Sequence, residues 1–264
     1  VSAVALALVL AAAVFHAGWN RLLHGAEDRL AAIAVSGIIA GLLLSPATVA
    51  APPRHVLPLV ALSAAAETAY ALCLTAAYAR GALSLTYPIG RGTAPLLVTV
   101  GGLFVLAQRP SIVTVAGAGA LLAGLTLVAT AGDHPRRGTA VGFAVLTGTA
   151  IASYSLIDAR AVEVTSPAGY LGPVLFLSGL ALTAIVHHPA RLRAALRPGL
   201  LIAVGSVTAY LLVLFAFQRA HAGRVATIRE VSVLLAILIA REKTGRQVWL
   251  GGVLVVAGAV LAAA

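Results

Sequence analysis

Methionine is absent from all 264 residues, cysteine occurs once, and acidic residues number 8 against 18 Lys and Arg. A single thiol, Cys73, excludes an intramolecular disulfide and a cysteine-built metal site. It lies inside an apolar run and reads as a small core residue. The lack of Met extends to position 1, so the chain is read as missing its first residues or as starting on a codon rendered literally as Val. Charge is scarce as well. Only 10% of residues are charged and 61% are hydrophobic, at a mean hydropathy of +1.02, whereas an ordinary soluble domain carries about 25% charged residues. This composition describes an integral membrane protein. The net charge of +10 does not point to nucleic acid, because the basic residues neither cluster nor interleave with aromatics. They sit in short gaps between apolar runs, where they orient a polytopic protein and meet anionic membrane lipid.

Enzyme signatures are missing too. The chain holds no Gly-rich phosphate loop with Lys, no His-Glu-x-x-His and no Gly-x-Ser-x-Gly. His187-His188 is followed at once by Pro189 in a basic gap, which reads as an interfacial turn and not as a metal site. No cofactor is implied.

What is present is a series of ten apolar runs, at 2–20, 30–49, 56–79, 83–107, 112–131, 139–157, 168–186, 198–218, 225–240 and 248–264. Crossing roughly 30 Å of hydrocarbon at about 1.5 Å per residue takes about 20 residues as a helix. The runs do not alternate in polarity, as barrel strands would. The opening run has neither a basic region before it nor a small-residue cleavage pattern after it, so it reads as a retained helix and not a signal peptide. The ninth run is short and carries two charges, flanked by Arg224 and Arg241. Its assignment rests on the repeat described next.

The segment 78–97 recurs as 217–235, with Arg80 falling on Arg219, Ile89 on Ile228 and Arg91 on Glu230, and Thr68-Ala69-Tyr70 echoed by Thr208-Ala209-Tyr210. One unit is used twice: a first repeat over 1–131, a linker at 132–138 and a second repeat over 139–264. Five helices per unit insert the second copy from the opposite face. The predicted fold is an all-α integral membrane protein of ten transmembrane helices in two inverted five-helix repeats, an architecture common among secondary transporters with a midplane site. The last helix of each repeat is glycine-spaced (Gly117, Gly119, Gly124; Gly251, Gly252, Gly258), which suits close packing between these helices or in a homodimer. Gaps after the odd-numbered runs hold about twice the Lys and Arg of those after the even-numbered ones, which taken alone places both termini outside.

Four charged residues lie well within the predicted spans: Glu67, Arg91, Arg229 and Glu230. A charge at the bilayer centre costs at least about 2.5 kcal/mol, so each should face protein or a wet cavity. Arg91 and Glu230 are equivalent in the repeat and are expected to pair, leaving Glu67 and Arg229 to pair or to meet solute and protons. The alternative is a static ion-pair network that fixes the helices. Burial and a nearby Arg pull a carboxyl's proton affinity in opposite directions, so such a group can bind and release a proton as its surroundings change. Glu67, with Tyr70 on the same face, is the first candidate for proton coupling and Glu230 the second. His16, Trp19 and Asn20 share one face of the first helix; Ser84, Tyr87 and Arg91 share one of the fourth; Tyr154 and Ser155 hold the matching place in the sixth. Together they suggest a cavity for a small amphipathic or zwitterionic solute, with an Arg taking its carboxylate. Trp19 and Asn20 equally suit an interfacial anchor and helix cap.

His16-x-x-Trp19-Asn20, Tyr87-Pro88-Ile89-Gly90-Arg91-Gly92 and Ile228-Arg229-Glu230-Val231-Ser232 resemble the EamA-type permeases of the drug/metabolite transporter superfamily. The resemblance covers essentially the whole chain. It implies a multi-pass permease of the cell (plasma or inner) membrane, moving amino-acid-like or amphipathic metabolites, usually outward and often by proton exchange, with its termini in the cytosol. Helices 4 and 9 of such permeases usually end in a Gly-Glu turn. Here the first is Ala107-Gln108-Arg109 and the second only approximates it at Ala240-Arg241-Glu242. A lipid-modifying membrane enzyme and a non-transporting assembly subunit are the alternatives.

Overall fold

The computed structural model describes residues 1–109, 111–131, 137–230, 232, 235 and 245–263. Every described element is helical: α1 (Ala3–His24), α2 (Arg29–Ala50), α3 (Leu57–Tyr78), α4 (Leu83–Val105), α5 (Ile112–Thr130), α6 (Arg137–Ala161), α7 (Pro167–Val186), the short α8 (Pro189–Ala194), α9 (Leu196–Phe217), α10 (Ala222–Ile228) and α11 (Arg246–Ala263). Seven of them, α1 to α4, α6, α7 and α9, are long and apolar enough to cross a membrane. The protein is thus an all-helical, multi-span membrane protein. α5 and α11 contribute shorter apolar stretches, Ile112–Val128 and Arg246–Gly258. α10 covers the start of the predicted ninth span, and Arg229, Glu230, Ser232 and Leu235 beyond it are described; 231, 233–234 and 236–240 of that span lie outside the described residues, as do Arg241 and Glu242 of the turn that follows and 132–136 of the predicted linker. Arg137 and Gly138, read as linker, already belong to α6. The gap between the seventh and eighth runs, read as a loop, contains α8.

Helix ends follow from local chemistry. Ser2, Asp28, Ser111 and Ser166 cap the first turns of α1, α2, α5 and α7, each accepting a backbone N–H three residues on. Asp28 is also gripped by Arg191 of α8, through two hydrogen bonds of 2.6 and 3.2 Å. The guanidinium holds the Asp28 carboxyl below its ordinary value. Inside the spans, hydroxyls that lipid could not satisfy turn back onto carbonyls of the preceding turn: Thr68 to Ala64 at 2.7 Å, Thr75 to Ala71 at 2.8 Å, Thr147 to Phe143 at 2.7 Å.

Lipid tails are as apolar as Leu, so helices associate through close packing of small residues and not through exclusion of apolar surface. In α1 the buried side includes Ala5, Ala12, Ala13 and Ala17 beside Val9, Trp19 and Leu23, while Val4, Val14, Phe15 and Leu22 face outward. α2 meets α7 backbone to backbone. A Cβ on Gly37 would lie 2.8 Å from Gly179 Cα, one on Gly41 2.4 Å from Phe176, and one on Gly169 2.2 Å from the Ala51 carbonyl. Positions rise along one helix as they fall along the other, so the two run antiparallel. The predicted glycine-spaced helices do the same: Gly124 of α5 faces Gly251 of α11, and Gly258 faces Gly117. These glycine surfaces are therefore used within the chain. Several further contacts come in exchanged pairs: α3 on α6 and α1 on α9, α2 on α9 and α3 on α7, α4 on α5 and α10 on α11; α4 also packs on α6 and on α10.

Candidate transport site

A cavity of about 70 Å³ opens between helices of both halves. One water needs roughly 10–15 Å³ of such space, so several fit. His16 and Trp19 of α1, Glu67 and Tyr70 of α3, Tyr154 of α6 and Tyr210 of α9 line it. The ring of Tyr154 stands edge-on to Tyr70 at 5.7 Å and to Tyr210 at 5.4 Å, a favourable aromatic geometry that locks three helices at one point. Trp19 Nε1 donates to His16 Nδ1 at 3.1 Å. A neutral ring accepting at Nδ1 carries its proton on Nε2, and that atom is buried without a hydrogen-bond partner among the described residues. Among the described residues the cavity wall thus holds one carboxyl, a ring of aromatics and His16, whose unpartnered Nε2–H is itself buried.

The predicted site residues divide into two groups. His16, Trp19, Glu67, Tyr70 and Tyr154 meet at this cavity. Asn20, Tyr87 and Arg91 line a separate void of about 10 Å³, with Tyr70 as the wall between the two. Asn20 shares the buried face of α1, yet its amide is committed to structure: Nδ2 donates to the His16 carbonyl at 2.8 Å and Oδ1 accepts from Tyr78 at 2.8 Å. Burial of Trp19 and Asn20 excludes the interfacial-anchor reading. Arg91 Nη2 lies 3.5 Å from Glu230 Oε1, both side chains buried, as the repeat register anticipates. Tyr87 donates to Ser232 Oγ at 3.2 Å. Arg229 is buried with no hydrogen-bond partner among the described residues, and neither Arg91 nor Arg229 lines the tyrosine-walled cavity. The expected contact of a solute carboxylate with Arg91 beside Trp19 is thus not what this cavity offers.

Sequence reasoning missed Asp158. The sixth run was ended at Ile157, but α6 continues to Ala161 and carries Asp158 into the interior, fully buried. Three hydroxyls from three helices donate to it: Ser63 of α3 at 2.6 Å, Tyr170 of α7 at 2.6 Å and Tyr210 of α9 at 2.5 Å. Tyr210 connects this cluster to the cavity wall. A signal was available, since Asp158 follows Tyr154 by the same four residues by which Asn20 follows His16. Its inclusion changes the charge balance. Among the described residues the interior holds three carboxyls, Glu67, Asp158 and Glu230, against two guanidiniums, Arg91 and Arg229, and not the two against two read from the sequence.

With this geometry in place, likeness to known proteins can be stated. Residues 138–264 match the EamA-like transporter family. That family belongs to the drug/metabolite transporter superfamily, and the resemblance read from the sequence is borne out over this half. The EamA match points to a membrane transporter. Curated proteins give no match. Sixteen chains of solved structure do. One of them, described only as a crystal structure of a protein, has a TM-score of 0.65 at 18% identity, covering 97% of this chain and 98% of its own. That likeness concerns the fold alone.

Proposed function

We propose that the protein is a secondary transporter of the cell membrane, built as two inverted repeats, that exports a small amphipathic, amine-bearing solute in exchange for protons. The inverted arrangement is supported by the packing of α2 on α7 and α5 on α11, helices that the repeat register makes equivalent. A twofold axis along the membrane normal would leave equivalent helices parallel, whereas one in the membrane plane turns them antiparallel. The exchanged contact pairs have the same twofold logic.

The observation that carries the solute class is Glu67 in an aromatic-lined cavity that, among the described residues, no Arg or Lys lines. A carboxylate among Trp and Tyr rings suits an ammonium group, attracted to the charge and to the ring faces. The interior's surplus of one carboxyl over its guanidiniums gives exchange a reason: in a low-dielectric interior the odd negative charge is best met by a proton or by a cation, one after the other. His16 Nε2 supplies a donor for a polar group at the solute's other end. The reading involves no covalent change to the solute. A thermal-shift screen of purified protein against small amines, amino acids and carboxylic acids tests it. Amine-bearing solutes should stabilise the wild type and not Glu67→Gln. Stabilisation by carboxylates lacking an amine, retained in Glu67→Gln, would remove the solute class.

A further inference from the structure

A second cavity, of about 130 Å³, lies apart from the tyrosine-lined one, between the end of α4, the start of α5 and the start of α10. Arg109, Arg224 and His221 line it together with Gln108, Ser111 and Thr114, and among the described residues no carboxyl lines it. The uncharged groups are oriented to leave donors free. Gln108 Oε1 accepts the Ala222 N–H at 3.2 Å, which leaves its amide Nε2 to donate. Ser111 and Thr114 share one hydrogen bond of 3.0 Å, so one of the two hydroxyl protons remains available. Two guanidiniums, an imidazole and an amide converging without a counter-charge suit a phosphate-type oxyanion, which guanidinium recognises through paired, charge-assisted hydrogen bonds.

In sequence the lining residues are flanked by apolar outer surface: Phe104 at the end of α4 is 84% exposed and Ile112 at the start of α5 is 88% exposed, and Leu103, Val105, Val113 and Val115 are also exposed. A free phosphate would have no use for that apolar surface, whereas acyl chains would lie along it. We propose that this cavity binds the headgroup of an anionic phospholipid, with its phosphate held by Arg109 and Arg224 and its chains on the exposed ends of α4 and α5. Basic pockets between membrane helices take anionic headgroups in this way. The site is independent of the transport reading. Through Arg224 it tethers the first turn of α10, the helix that leads to Arg229 and Glu230.

The test compares thermal stabilisation of detergent-purified protein by dioleoylphosphatidylglycerol, by dioleoylphosphatidylcholine and by inorganic phosphate. Dioleoylphosphatidylglycerol alone should stabilise the wild type. Its apparent affinity should fall about thirty-fold in R109Q/R224Q, on the basis of roughly five-fold per basic residue near an anionic headgroup. R193Q, an exposed site on α8, should leave it unchanged. If the double variant does not fold, R224Q alone should show the roughly five-fold loss. Equal stabilisation by the choline lipid, an unchanged affinity in the variants, or the full effect from phosphate alone would each overturn the proposal.

Discussion

Asp158 shows how much one side chain can settle. Its carboxylate accepts from Ser63, Tyr170 and Tyr210 and so joins α6 to three other helices. Hydrogen bonds to a charged group contribute roughly 1.5–3 kcal/mol each, and a buried hydroxyl left unpaired costs about 1–3 kcal/mol. Asp158→Ala should therefore lower the detergent melting temperature sharply. Asp158→Asn, which keeps an acceptor oxygen, should lower it less, and equal losses in the two would refute the three-donor assignment. Ala107 offers a change of the opposite sign. It ends α4 at φ 51, left-handed backbone that favours glycine, in the position where the resembled permeases place glycine. Relief of the Cβ strain against glycine's greater unfolded-state entropy leaves a net gain of roughly 0.5–1 kcal/mol for Ala107→Gly, readable as a higher melting temperature. At the surface, Arg191 lowers the proton affinity of Asp28, a depressed carboxylate. Its contribution is complete above the ordinary Asp value of about 4 and is lost as pH falls through the lower folded value. Wild type and Arg191→Gln should therefore differ in melting temperature at pH 6 and converge toward pH 2, while a constant gap would exclude the ion pair as its source.

Between elements, glycine placement governs approach. A Cβ on Gly124 would fall 2.6 Å from the Gly251 carbonyl oxygen, whereas Gly119 on the same helix has nothing within 4 Å. Gly124→Ala should force α5 from α11 at a cost of roughly 1–3 kcal/mol. Gly119→Ala should be neutral or stabilise by roughly 0.5–1 kcal/mol through helix propensity. Similar losses from both would mean that α5 packs by another face. This contact was legible because glycine spacing survives as a sequence signal even where everything around it is apolar. The inward faces of the long spans were not. In α1 Ala, Val and Leu occur on both sides, Val9 and Leu23 buried with Ala12 and Ala17 while Val4, Leu22 and Ala11 are exposed, so hydropathy locates the helix without telling its sides apart. Spans were readable from length; α8, with its three-residue hydrophobic content in a basic gap, was not.

At the scale of the molecule, the repeat register did what local pattern could not. It paired Arg91 with Glu230 across two distant segments, and the structure holds them 3.5 Å apart. Asp158 escaped because hydropathy ends a span at the first charge, although a buried charge with three hydroxyl donors needs no lipid-facing tolerance. Its recovery turns an interior read as balanced into one that, among the described residues, has one carboxyl more than it has guanidiniums, and Tyr210 links that carboxyl to the aromatic cavity with Glu67 in its wall.

Proton movement in reconstituted vesicles tests this directly. With an internal pH dye and an amine-bearing solute found by the binding screen, wild-type vesicles should show solute-driven proton flux, and folded Glu67→Gln protein at equal density should show none. Proton flux at the wild-type rate in Glu67→Gln would contradict the account.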